Sequence, residues 1–455
     1  MKNSKKTLTD GAATKWRITK AVNARPLVNV VFLTFSVYLL ALVFMPIKRV
    51  FPVVWEAVFF LIITAFFALL GSFLQKKSRL NSKNLNNRNL NWYKLSKTVT
   101  IISFLGIIVS LIDRFFIRGV GLGFDAFEAR EALEASSAGI ISMIAAYMAS
   151  FSAFGVIAQW IAEEYDGRIG GVHKMLAYAN LILYIYLSTM LGSRSLLIVV
   201  VICHIFARST LRKSQDKSTD YKSIMALISM VIVTIAGLIY ILQQRLDLMG
   251  ISALESIQYS TYSFTLKVND FLLDSIRGSE VVESIGAALF SMILYVFHGV
   301  FEFIYLFQNL DGHHTYGAET FWLPFKIWGA MGGPLNVIDL ESISNYRSGV
   351  FTTFAGPLYV DFGLAAPLAA GIIFYLLSFP QRLAANGKIQ WIPAALQCET
   401  IIVLSPILNL LQSATGTYLL IAAVSIAVIG SLGGARRDGQ SKNLHEIKAS
   451  ILVSN

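Results

Sequence analysis

The sequence predicts an all-α polytopic membrane protein, with about ten transmembrane helices and one large loop on the far side of the membrane. Three observations carry this. Charged residues make up only 14% of the 455-residue chain and mean hydropathy is +0.61, where a soluble protein carries roughly 25% charged residues. Apolar runs of bilayer length recur, and each run of ~20 residues satisfies its backbone as a helix across ~30 Å of hydrocarbon. Finally, basic residues gather in loops that alternate counting puts on one side of the bilayer.

The basic segment 1–26 holds Lys2, Lys5, Lys6, Lys15, Arg17, Lys20 and Arg25. The run after it, 27–45, is too long for a signal-peptide core and reads as a retained first helix. Runs at 51–75, 98–112, 138–162, 175–191, 195–207 and 224–242 complete a block of seven helices over 27–244. A region at 245–351 reads as a large outer loop, and runs at 352–379, 391–411 and 415–432 supply the last three helices. With the N-terminus in the cytoplasm, the basic loops at 76–97, 208–222 and 380–390 and the basic tail at 433–455 all fall inside. The positive-inside rule is thereby met repeatedly. The loop 245–351 carries the opposite sign, with five bases against eleven acids. One apolar stretch within it, 285–306, would invert every later loop if it crossed, so it is expected to be re-entrant or interfacial.

The net charge of +11 faces anionic inner-leaflet lipid on this reading, so membrane lipid is the partner and no nucleic acid is needed. Cys203 and Cys398 both fall in apolar runs and imply neither a disulfide framework nor a metal site. No P-loop and no nucleophile elbow occurs, which argues against ATP-driven work. The glycines at 119, 121 and 123 form no dinucleotide fingerprint, because no strand precedes them.

Two placements draw attention. The turn Gly192-Ser193-Arg194 separates two short apolar runs, which suggests a recessed position at the floor of an outer cavity. A permanently charged fork there suits phosphate oxygens; a snorkelling arginine, or one paired with an internal acid such as Glu399, fits equally well. The second placement is 301–320, FEFIYLFQNLDGHHTYGAET, which mixes aromatics, acids and two adjacent histidines. Such a mixture suits sugar rings, and an interfacial aromatic belt is the plainer reading. His313, His314 and Glu302 are the candidate general bases, His314 with His313 first. Arg130 and Arg347 sit on adjacent outer edges and join Arg194 as diphosphate candidates. Arg118 reads as part of a solvated turn.

The segment 347–364, RSGVFTTFAGPLYVDFGL, resembles the hallmark of the Wzy-type oligosaccharide repeat-unit polymerases, which include the O-antigen polymerases. The matching positions are Thr352, Thr353, Phe354, Gly356, Leu358, Tyr359, Asp361, Phe362 and Gly363. Gly192-Ser193-Arg194 and the first outer loop, ending around Arg130, resemble two further recurrent features. The arginine-X10-glycine pattern of some members does not occur at Arg347.

The resemblance implies a fold similar to GT-C-type glycosyltransferases and a site at the outer face of a bacterial inner membrane. It implies transfer of a growing glycan from undecaprenyl diphosphate to a hydroxyl of a new lipid-linked repeat unit. Arg194, Arg130 and Arg347 would hold the diphosphate, and Tyr316, Tyr359 and Asp361 would meet the sugar. No cofactor or metal is implied. The implied partners are undecaprenyl-diphosphate-linked oligosaccharides, with a chain-length regulator protein compatible beside them. An O-antigen ligase and a lipid-linked oligosaccharide flippase are the alternatives.

Overall fold

The computed structural model describes residues 47–50, 52, 54–77, 90–121, 128, 132–133, 139–167, 171–189, 194–214, 250–258, 261–278, 280–310, 312, 314–332, 347, 350 and 352–432, with Ser36 alone before them. It is mostly helical. Six stretches among these residues are long and apolar enough to cross a membrane: Trp55–Gln75, Trp92–Ile117, Ile140–Asp166, Val282–Asn309, Ala355–Ala385 and Ala414–Leu432. Shorter apolar helices occur at Ser195–Leu211 and Ile389–Leu404. The chain is a multi-pass membrane protein. The expected helices at 27–45 and 224–242 and the termini 1–26 and 433–455 lie outside the described residues, apart from Ser36.

Strand β1 (Ile47–Arg49) leads to helix α1 (Trp55–Lys77). Helix α2 (Trp92–Ile112) starts at Asn91, whose side chain accepts the Lys94 N–H at 2.9 Å, and runs into a π-helical turn, Asp113–Ile117. Helices α3 (Ile140–Ser150) and α4 (Ser152–Asp166) make one span, closed by Gly167 in the left-handed region at φ +64. Then come α5 (Gly171–Thr189) and α6 (Arg194–Ser214). The acidic region holds α7 (Ala253–Gln258), β2 (Leu266–Val268), α8 (Asp270–Ile276), α9 (Glu280–Asn309) and α10 (Trp322–Ala330). Strands β1 and β2 pair antiparallel, Lys48 opposite Lys267. The chain finishes with α11 (Ala355–Phe362), α12 (Ala366–Leu377), α13 (Phe379–Ala385), α14 (Ile392–Leu404) and α15 (Ala414–Leu432).

Side-chain contacts fix which helix ends lie together. Ser378 bonds Ser72 at 3.2 Å and Arg382 reaches Gln75 at 3.5 Å, so α12–α13 descends beside α1 in the same direction. Gln390 bonds Ser431 at 3.2 Å, and the Tyr93 N–H donates to Asp166 at 2.7 Å. Arg208 lies over the Trp160 ring at 4.2 Å. The residues flanking loops 76–97, 208–222 and 380–390, and the end of α15, therefore share one end of the bundle. We call it the basic end.

Between the ends, small and polar residues hold the helices. A Cβ on Gly71 would collide with the Gly371 carbonyl, so α1 and α12 touch backbone to backbone. Buried Asn180 of α5 donates to the Thr100 carbonyl at 3.0 Å and to Ser103 Oγ at 2.7 Å, tying α5 to α2. Hydrogen bonds of this kind join helices where hydrocarbon offers no alternative partner.

The helices bear on three expectations. The stretch 285–306, expected to be re-entrant or interfacial, lies within the unbroken 30-residue helix α9, whose length and composition would also suit a crossing. The run 352–379 is not one straight helix. Phe354 packs edge-on against Phe374 with ring centroids 4.9 Å apart, whereas a straight helix would separate them by about 30 Å. The chain breaks at Gly363, φ +54, and α11 folds back along α12. Lastly, α5 and α6 are 19 and 21 residues long, about 28 and 31 Å. Helix α6 gains its added length at the basic end, past Leu211; its apolar part, Ser195–Leu211, rises about 25 Å.

Candidate functional site

At the end opposite the basic one, the helix ends surround a cavity of ≈ 290 Å³. The π-helical turn that ends α2 builds one wall. A π turn is rare and shifts the side chains that follow it around the helix; here it carries Asp113 and Arg114. Asp113 is 5% exposed and its Oδ1 accepts from Ser142 Oγ, near the start of α3, at 2.7 Å. The Arg114 guanidinium donates to the Leu187 carbonyl near the end of α5 at 2.5 Å. Arg118 lines the same cavity and donates to the Leu133 carbonyl. Across from them, α10 contributes Leu323 and Lys326, whose ammonium lies 4.6 Å from the Trp322 ring centre. Tyr184 and Ser150, 3.1 Å apart, also line the space, as does Tyr418 from α15. Three cations thus face one carboxylate, over walls that include Leu133, Met143 and Ala146. Such a space suits an anionic headgroup on an apolar tail.

The loop 314–320 leads into α10 and is anchored by Asp361. That carboxylate is fully buried. It accepts from Thr315 Oγ1 at 2.5 Å, the Glu319 N–H at 3.0 Å and the Thr320 N–H at 2.7 Å. Main-chain bonds from Thr315 to Val360 and from Tyr316 to Asp361 complete the dock. Asp361, expected at the sugar, therefore holds a loop. His314 Nδ1 lies 3.2 Å from the Val360 carbonyl, and its ring packs where a Cβ on Gly363 would come within 2.6 Å. Tyr316 is left-handed at φ +51 and 79% exposed. Tyr359 is half-buried among Phe60, Phe303 and Phe307, at 5.4, 6.0 and 5.0 Å between ring centroids. Glu319 accepts from Gln412, two residues before α15 and its cavity-lining start. The anchored loop and the cation cavity are contiguous.

Glu302 and Arg347 find each other instead. Arg347 Nη1 lies 2.5 Å from Glu302 Oε1, and its guanidinium stacks 4.2 Å over the Phe264 ring. Thr265 Oγ1 adds a bond to the same carboxylate at 3.0 Å. Neither residue lines the cation cavity. Arg194 opens α6, and only its backbone is described. Leu187 and Ser188, just before the turn 190–193, do line the cavity. That turn, Arg130 and His313 lie outside the described residues.

Sequence reasoning missed Asp113, Arg114 and Lys326, and it read Arg118 as a solvated turn. The signal was present: Asp113-Arg114 is a charged pair ending a long apolar run, where a charge is costly unless it has a task. No protein-family model, curated protein or solved structure matches the chain.

Proposed function

We propose that this protein is a glycosyltransferase working at the periplasmic face of the bacterial inner membrane. It polymerises lipid-linked oligosaccharide repeat units as the Wzy-type polymerases do. The observation that supports the reading most is the cavity with Arg114, Arg118 and Lys326 at the end remote from the basic loops. The donor's leaving group is a diphosphate on a polyprenyl tail. Cations over an apolar wall would stabilise the charge that develops as the diphosphate departs. The segment Tyr359 to Gly363 adds support, because its Asp361 fixes the loop that leads to Lys326. On this reading the basic end is cytoplasmic and the cavity opens to the periplasmic side.

An O-antigen ligase shares the donor, so the same cavity would serve it. A flippase would need charge along a central path, whereas these cations stand together at one end. The test is the surface-glycan ladder of a deletion strain carrying variants on a plasmid. The empty strain should show a single capped repeat, and Arg114→Ala should match it at normal membrane level. Arg114→Lys should rescue poorly, since an ammonium lacks the planar fork. Unattached lipid-linked polymer in the deletion strain would mean a ligase, and absence of exported glycan a flippase.

A further inference from the structure

Glycosyl transfer to a hydroxyl needs a group that takes the hydroxyl proton as the new bond forms. Within the cavity, among the described residues, the carboxylate that can do so is Asp113. One of its oxygens accepts from Ser142, and no second hydrogen bond reaches the carboxylate among the described residues. Of the other acceptors considered from sequence, His313 lies outside the described residues, and Glu302 and His314 are occupied elsewhere. Glu302 is held by Arg347 and Thr265, and the His314 ring is packed between the Val360 carbonyl and Gly363.

We propose that Asp113 is the catalytic proton acceptor of this site, an inference that rests on the cavity being the glycan-transfer site. The acceptor hydroxyl oxygen attacks the anomeric carbon, and its proton passes to the Asp113 carboxylate. The anomeric carbon–oxygen bond to the diphosphate breaks. Its electron pair leaves on the diphosphate oxygen, beside Arg114, Arg118 and Lys326. Asp113 then returns the proton to solvent. The π turn places proton acceptor and phosphate ligand at successive positions, 113 and 114, so donor and acceptor meet at one point.

The test uses full-length protein in lipid nanodiscs with purified undecaprenyl-diphosphate-linked repeat units. Asp113→Asn keeps an oxygen for Ser142 and cannot take a proton. It should slow transfer by about 10²–10⁴-fold while donor binding stays within about threefold, far less than that loss. Ser142→Ala removes only the hydrogen bond and should stay within about tenfold of wild type, well short of the loss of a base. Asp113→Ala should regain part of its rate with added formate, a small carboxylate that fits the space, which a merely supporting residue would not do. Near-normal transfer by Asp113→Asn beside an active wild type would overturn this proposal alone. So would loss of donor binding as severe as that of Arg114→Ala. A wild type that makes no polymer from these lipids would overturn the underlying reading, and the proposal with it.

Discussion

Asp361 shows how one buried carboxylate can organise a site it does not touch. Three donors converge on it from Thr315, Glu319 and Thr320, and Gly363 leaves room for the His314 ring two residues on. An aspartate followed by phenylalanine and glycine is easy to mark in the sequence. Its partners are 41 to 46 residues away, so its role as an anchor was not legible there. The same holds for Glu302 and Arg347, which were assigned separate tasks and form one ion pair. The expected consequence can be measured. Asp361→Ala leaves one hydroxyl and two N–H groups buried without an acceptor, each worth about 1–3 kcal/mol. Asp361→Asn keeps the acceptor oxygens' number down to one and should lie between the two. Thermal unfolding in detergent should fall clearly for Asp361→Ala, and proteolysis should quicken first within 314–330. Unchanged cleavage there would mean that Asp361 does not hold the loop.

At the level of elements, hydropathy marks where apolar helix lies but not where it bends. The run 352–379 reads as continuous because both α11 and α12 are apolar, and only the backbone at Gly363 separates them. In a membrane such a break is tolerated where neighbouring protein covers the freed backbone groups. Here the Phe354 N–H donates to the Ser405 carbonyl, at the end of α14, at 2.7 Å. Helix α14 stops at Leu404, and an irregular stretch precedes α15, so two interrupted segments meet and satisfy each other. The contact between α1 and α12 is set by a glycine on each helix, a pairing invisible in a sequence where the two lie 300 residues apart. Gly71→Ala should push these helices apart, at a cost of about 1–3 kcal/mol for overpacking. Gly139→Ala is the control, since nothing lies within 4 Å of its missing Cβ. Comparing the two by thermal stability in detergent isolates the close approach. Equal stabilities would show that the helices pack without it.

The whole molecule has two ends of different chemistry. At the basic end, residues beside loops 76–97, 208–222 and 380–390 come together through contacts such as Ser72 with Ser378 and Gln390 with Ser431. This grouping was legible from charge alone, because each apolar run reverses the chain and the bases recur at every second turn. The position of α9 was not. Its last third meets α1 and α11 through Phe303, Phe307, Phe60 and Tyr359. Its beginning packs on α8, where Ile276 fills the space beside Gly286. Strand β2 is paired with β1, five residues before α1 begins. Helix α8 has only seven residues in which to leave that strand, about 10 Å of rise against ~30 Å of hydrocarbon. The segment before α9 should therefore stay on the cavity side. Single cysteines at Gly119, Ser275 and Lys388, all exposed, can test this with an impermeant maleimide on intact cells, since Cys203 and Cys398 are buried and give little background. Gly119→Cys and Ser275→Cys should label from outside, and Lys388→Cys only after the cells are opened. Labelling of Lys388→Cys from outside would reverse the orientation of the bundle. Protection of Ser275→Cys beside a labelled Gly119→Cys would mean that α9 crosses the membrane.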